Sequence, residues 1–364
     1  MRVVMTSPRY APLVGGVELH TQALATRLAQ RGHDVTVVTT NPAGDLPEFE
    51  ARDGVTIHRV PSWPRRGDPF FSRRAGDVVL AHSPDLVHAQ GYQSAFTPLI
   101  LSRLSSSGIP TVLTFHGGAN ANRLRHALYP VQRRVLGPLF RRVSACVSLT
   151  RFELALYARE MKIPLERFVT IPNGCDLPTP TSVPDPHLVV SPGRLDPIKG
   201  HDRVLEAFSL LRRSDPDARL RIVGTGPDED RLKALAATLK VEAHVEFVSF
   251  GPDERLGFAN ALHEAGVVIS LSKSETQPIT LLEAARLGCS VGVTDSSPGL
   301  CELIENGVAW SLPHDASAET VAAALADQSL RAFTPNLSSL WTWDDVATAT
   351  NDLYARLLAD RTPR

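Results

Sequence analysis

The chain has 364 residues, 43% of them hydrophobic and 21% charged, with a formal net charge of −1 at pH 7. This is a soluble composition with apolar material for two cores, and at about 150 residues per domain the length predicts two domains. No run approaches the roughly 18 apolar residues of a membrane span, and the apolar run in MRVVMTSPRYAP is too brief for a signal peptide, so a cytoplasmic protein is expected.

The small net charge conceals an asymmetry. Residues 1–180 carry 21 Lys and Arg against 13 Asp and Glu, whereas residues 181–364 carry 17 against 26. Much of the positive excess lies in PRRGDPFFSRR (64–74) and in RLRHALYPVQRRVLGPLFRR (123–142), the second amphipathic enough to be helical. Such a face suits anionic lipid or an anionic acceptor, although a solvated arginine surface explains it equally. No nucleic-acid motif accompanies it, and nucleic acid is set aside. Cys146, Cys175, Cys289 and Cys301 show no C-x-x-C spacing, which points to reduced packing thiols and no metal site.

In chain order, short apolar runs alternate with amphipathic stretches, the pattern of parallel sheets crossed by helices. The first set of strands is expected at 2–6, 34–40, 55–60, 85–89, 111–115, 145–149 and 168–172. The proline-rich CDLPTPTSVPDP (175–186) reads as a linker. Strands then resume at 187–191, 220–224, 245–249, 265–272 and 290–294, and WDDVATATNDLYARLLA (343–359) has the pattern of a long final helix. The expectation is an α/β chain of two doubly wound parallel-sheet domains, 1–178 and 187–340, with a terminal helix over 343–361.

Open parallel sheets bind ligands at the carboxyl ends of their strands, so the residues after each run carry the chemistry. Gly15 and Gly16 precede a helix, where missing side chains let a phosphate or sugar approach backbone amides, or simply make a tight turn. His116 in TFHGG ends a strand and suits either a polar contact in a cleft or a structural role. Arg194 and Lys199 flank a turn ahead of a helix. Two cations there can neutralise a diphosphate without metal, and exposed turn charges are the alternative. In GTGPDEDRL (224–232) the acids Asp228, Glu229 and Asp230 favour the helix start over a metal.

SETQPITLLEAARLG (274–288) holds two glutamates eight positions apart. Pro278 and Gly288 predict a helix over 278–287, with Glu275 in the loop before it and Glu283 on it, roughly 7–8 Å along from Pro278. That separation suits an extended anion lying between two acids better than a hydrolytic carboxylate pair. A solvated helix face would also account for Glu283.

Taken together, GGVE, LAQRGHDVTVVTT, DLVHAQG, TFHGG, VSLTRFE, IPNGCD, GRLDPIKG, IVGTGP and the Glu-x7-Glu stretch resemble, over nearly the whole chain, the retaining glycosyltransferases of family 4, which have the GT-B fold. The resemblance implies a donor nucleotide sugar on the C-terminal domain, a hydroxyl acceptor on the N-terminal domain, and a last helix that returns to the first domain. It implies that Gly15 and Gly16 approach the donor and that His116 contacts the transferred sugar. Arg194 and Lys199 would hold the diphosphate, with Gly193 and Gly224 among the donor-binding residues. Glu275 would bind sugar hydroxyls and Glu283 the ribose. No metal cofactor is implied, and a front-face mechanism follows from the family.

Two departures bear on the donor. Gln277 and Pro278 stand where many relatives have an aromatic residue and a glycine, so amide contacts fall to Thr276, Gln277, Ile279 or Thr280. Ser249 stands where relatives often have glycine, and the donor is left open between UDP and GDP. A nucleotide-sugar epimerase or phosphorylase on the same fold, or a non-catalytic nucleotide-sugar-binding subunit, would keep the same donor residues.

Overall fold

The computed structural model describes residues 1–13, 15–64, 71–117 and 123–360, with the backbone alone for 123–128. Residues 1–117, 123–174 and 341–360 form one compact unit and residues 175–340 a second. Arg65 and Arg66 of the first basic stretch, the side chains of Arg123 and Arg125 in the second, and Gly118 of TFHGG lie outside the described residues.

The first unit is built on an eight-stranded sheet. Its strands are β1 (Arg2–Thr6), β2 (Asp34–Asn41), β3 (Phe49–Arg52), β4 (Val55–Pro61), β5 (Leu86–Gln90), β6 (Thr111–Thr114), β7 (Ala145–Ser148) and β8 (Phe168–Thr170). They lie in the order β3-β4-β2-β1-β5-β6-β7-β8. All neighbours are parallel except β3, which pairs antiparallel with β4 at the edge. The central strands β5 and β6 are buried end to end and β1 from Val3 onward, as strands of a parallel sheet covered on both faces are.

The parallel register follows the sequence pattern closely, and β3 is the exception. FEAR alternates in exposure without an apolar face, and the turn at Asp53-Gly54, both at positive φ, folds it back on β4. Such an edge hairpin carries no hydrophobic signature of its own.

Helix Trp343–Ala359 completes this unit and packs on helix Gly16–Gln30. Thr342 and Asp345 form a reciprocal capping box at its start. Tyr354 Oη lies 2.6 Å from His88 Nδ1, and His33 Nε2 lies 2.8 Å from Asn351. A Cβ on Gly174 would come within 2.6 Å of Trp343, so the glycine lets the chain pass that ring.

The second unit has six parallel strands: β9 (Asp185–Pro192), β10 (Arg219–Val223), β11 (Val245–Val248), β12 (Ala265–Ser270), β13 (Val291–Thr294) and β14 (Trp310–Leu312). Their order is β11-β10-β9-β12-β13-β14. Strand β14 is three residues long, too short for a periodicity reading to reveal. Cys175 and Leu177 belong to this unit's core, so the start of the proline-rich stretch packs there. All four cysteines are free thiols; burial pushes Cys146, Cys175 and Cys289 up to about 12.

Candidate active site

In the second unit the site grows from two glycine loops at the carboxyl ends of adjacent strands. Gly193 follows β9 at φ +143° and Gly224 follows β10 at φ +149°, a region open to glycine. Gly193 N–H donates to Val223 at 2.9 Å and Leu195 N–H to Thr225 at 2.9 Å. A Cβ on Gly224 would lie 2.1 Å from the Gly193 carbonyl. Both glycines therefore lock the loops to each other, and their direct product is the position of Arg194.

Asp196 organises the turn that follows. It is 4% exposed, caps Ile198 N–H at 3.2 Å and pairs with Arg194 at 2.9 Å. Lys273 N–H donates to the Ile198 carbonyl at 2.8 Å, tying the turn to the loop after β12. Gly200 adopts φ +74°, and a Cβ there would stand 2.2 Å from the Leu271 carbonyl. The chain can thus bring Lys199 beside the end of β12, where its Nζ meets Glu275 Oε1 at 2.5 Å. Arg194 and Lys199 are not a matched pair of free cations: the first is over half exposed and held by Asp196, the second is mostly enclosed and held by Glu275.

Glu275 is fixed through its backbone as well. Its N–H donates to Ser297 Oγ and its carbonyl accepts from the same hydroxyl, both at 3.1 Å. A Cβ on Gly299 would fall 2.0 Å from the Thr276 carbonyl, so the loop rests directly on helix Pro298–Glu305.

Pro278 caps the next helix, which runs Ile279–Arg286, one residue shorter at each end than the sequence suggests. The first helical hydrogen bond is Leu281 N–H to the Pro278 carbonyl at 3.1 Å, so the amides of Ile279 and Thr280 precede it and face outward along the axis. This is the anion-attracting end expected between the two glutamates.

Glu283 overturns the solvated-face alternative, because it is fully buried. Arg255 places a guanidinium nitrogen on its Oε1, while Oε2 has no hydrogen-bond partner among the described residues. Burial pushes the carboxyl up to about 7 against the opposing pull of Arg255. Arg255 also lies over the Phe258 ring, 5.2 Å from its centroid.

In the first unit, His116 follows β6 and is 5% exposed. Its Nε2 lies 2.7 Å from Gln90 Oε1, which as an amide oxygen can only accept, so the ring donates there. The His20 ring meets it edge-on with centroids 4.7 Å apart, and His20 Nδ1 lies 2.8 Å from Asn173 Oδ1. Burial holds His116 well below its ordinary value and His20 at about 4, so both are neutral near pH 7. Gly15 caps helix Gly16–Gln30 in an extended conformation any residue adopts. A Cβ on Gly16 would meet nothing within 4 Å. Internal packing therefore does not demand glycine at 16.

Four partners escaped the sequence reading. Asn173 and Glu153 lie inside phrases that carry the resemblance, IPNGCD and VSLTRFE, but nothing local marks their contacts. Ser297 and Arg255 approach from elements 22 and 28 positions away in sequence. Among the described residues no group of three or more His, Cys, Asp or Glu could hold a metal.

The family description Glycosyltransferase Family 4 matches residues 14–178, and Glycosyl transferases group 1 matches residues 178–334. Glycogen synthase of Mycobacterium tuberculosis is 27% identical over 97% of this chain and 94% of its own length. Among solved structures, sucrose-phosphate synthase from Thermosynechococcus elongatus aligns with a TM-score of 0.78 at 17% identity, covering 99% of both chains. Anabaena Alr3699/HepE, solved with UDP and glucose, aligns with a TM-score of 0.73 at 17% identity over 98% of this chain and 100% of that one.

Proposed function

Because this chain belongs to the family 4 glycosyltransferases and has the GT-B fold, acting with nucleotide-sugar donors, we propose that it moves a hexosyl unit from a UDP-sugar to a hydroxyl acceptor with retention at the anomeric carbon. The observation that carries this reading is the pair of glutamates on either side of the open amides of Ile279 and Thr280, with Glu283 buried and one of its oxygens unpartnered among the described residues. A ribose hydroxyl supplies the donor that Glu283 Oε2 lacks, and burial makes that bond worth more than a solvated one. UDP is the proposed nucleotide because a structural neighbour was solved with it.

In this reading the diphosphate lies at the helix start, with Lys199 and Arg194 as its counter-charges. Glu275 releases Lys199 in part to the phosphate and accepts hydroxyls of the sugar. In the first unit, His116, neutral and fixed through Nε2, offers Nδ1 to a sugar hydroxyl. The bond from the anomeric carbon to the phosphate oxygen breaks as the bond to the acceptor oxygen forms on the same face. The acceptor's proton passes to the departing phosphate oxygen, so neither a metal nor a covalent nucleophile is called for.

Helix Arg123–Phe140 supplies a further element. Val131 and Val135, one turn apart, are 59% and 69% exposed, with exposed Arg134 beside them and Arg133 turned away to Glu160. That stripe suits a peripheral contact with anionic lipid at the cytoplasmic side of a membrane. Among the described residues no helix is long and apolar enough to cross one.

Two measurements test the reading. Thermal shift with UDP, GDP, ADP and dTDP should single out UDP, with about 2.7 kcal/mol of stabilisation at 100 times its dissociation constant. NMR of the product linkage should show the donor's anomeric configuration; inversion, or release of a free altered sugar, would contradict the proposal.

A further inference from the structure

Glu153 is a buried acid, 2% exposed, outside the donor-binding set. It occupies the third position of helix Arg151–Met161, whose cap, Thr150, accepts Glu153 N–H on Oγ1 at 3.1 Å. A glutamate at that position commonly folds back onto the cap's own N–H. Here it reaches past the cap. Oε2 accepts Leu149 N–H at 2.9 Å and Oε1 accepts Gly117 N–H at 2.7 Å.

Leu149 directly follows β7, and Gly117 directly follows His116 beyond β6. One carboxylate thus ties the carboxyl ends of two adjacent strands together, at the peptide next to His116. Bonds from backbone amides to a buried carboxylate are short and strong, so they fix that peptide firmly. Gln90 and the His20 ring set the orientation of the His116 imidazole, and Glu153 sets the height of the backbone that carries it.

We propose that Glu153 is a positioning residue for glycosyl transfer, acting through His116 by holding the 116–117 peptide. The proposal rests on His116 contacting the transferred sugar. Both carboxylate oxygens are needed, because an amide in their place would turn its NH2 towards one of the two N–H donors. A purely structural role would show as lost stability alone, with no dependence on His116.

The test is a double-mutant cycle of Glu153→Gln and His116→Ala, with release of UDP from UDP-glucose as the rate and UDP affinity measured separately. Glu153→Gln should lower kcat about tenfold, leave UDP affinity within twofold, and add less than twofold in the His116→Ala background. An equal loss in both backgrounds, or a lower melting temperature with kcat unchanged, would overturn the proposal. Should Glu153→Gln not fold, Glu153→Asp keeps the charge but is one methylene too short to span both amides, and the same readouts apply. Histidine 15N NMR separates this idea from the enzymatic one. If the wild type neither binds UDP nor turns over UDP-glucose, the functional reading fails, and an unmoved His116 resonance in the Glu153 variant still decides against positioning.

Discussion

Arg255 engages one oxygen of Glu283, and at this fully buried position the other has no hydrogen-bond partner among the described residues. Burial raises the carboxyl to about 7, so near neutrality about half is protonated. In the proposed reading, hydroxyls of a bound ribose donate to the ionised form and pull that value down, so binding should expel a proton. UDP affinity should therefore rise about tenfold between pH 6 and pH 8, with proton release in calorimetry near pH 6.5. Glu283→Gln should flatten the profile. The sign for folding is opposite: a raised carboxyl favours the folded state fully below its ordinary value, and that contribution is lost as pH climbs through 7.

Lys199→Ala removes the cation nearest Glu275, whose ion pair measures 2.5 Å. Charge grows on the departing phosphate as the glycosyl bond breaks, and a charge-assisted bond there is worth about 1.5–3 kcal/mol. Catalytic efficiency should fall at least roughly tenfold, partly in kcat. A change confined to KM would make Lys199 a uniform binder of donor. Turnover should withstand EDTA; inhibition relieved by magnesium or manganese would contradict the metal-free mechanism.

The buried histidines predict an acid limb of stability. His20 sits at about 4, His88 at about 3 and His116 well below 6.5, each chiefly through burial. A depressed histidine lends stability above its ordinary value of about 6.5, and loses it as pH falls towards the folded value. His20 and His88 should each cost about 2 kcal/mol between pH 7 and pH 5, and His116 adds in the same direction. Thermal midpoints across that range should drop less steeply for His20→Gln than for the wild type; an unchanged slope would show that the ring protonates while folded.

Lipid contact through Val131, Val135 and Arg134 predicts co-sedimentation with vesicles rich in phosphatidylglycerol, weaker in high salt and absent with phosphatidylcholine. Val131→Ser with Val135→Ser should remove most of it while leaving UDP affinity intact. Binding that survives both this pair and Arg134→Glu would place the contact elsewhere.

Much of the architecture was legible because buried parallel strands are continuous Val-rich runs, and most of those runs became strands within a residue or two. The hairpin strand β3 was not, since it buries no apolar face. The site was legible as a set of loop residues, but its pairings were not. Glu283 reads as helix surface until Arg255 arrives from a helix 28 positions earlier in the chain. Lys199 and Glu275, 76 positions apart, read as independent charges until the Gly200 turn brings them together. Spacing reports local geometry, whereas these partners are chosen by which strands happen to be neighbours in the sheet.

Among the described residues the second unit is one uninterrupted stretch of chain, whereas the first needs residues 341–360 to cover His88 and meet helix Gly16–Gln30. During synthesis the residues of the first sheet therefore wait for a segment made only after the whole second unit. The sheet of the first unit can form early, yet it stays uncovered along that flank until residues 341–360 are made. A released chain ending before residue 343 would hold a finished second unit and an incomplete first one, vulnerable to protease at its exposed seam.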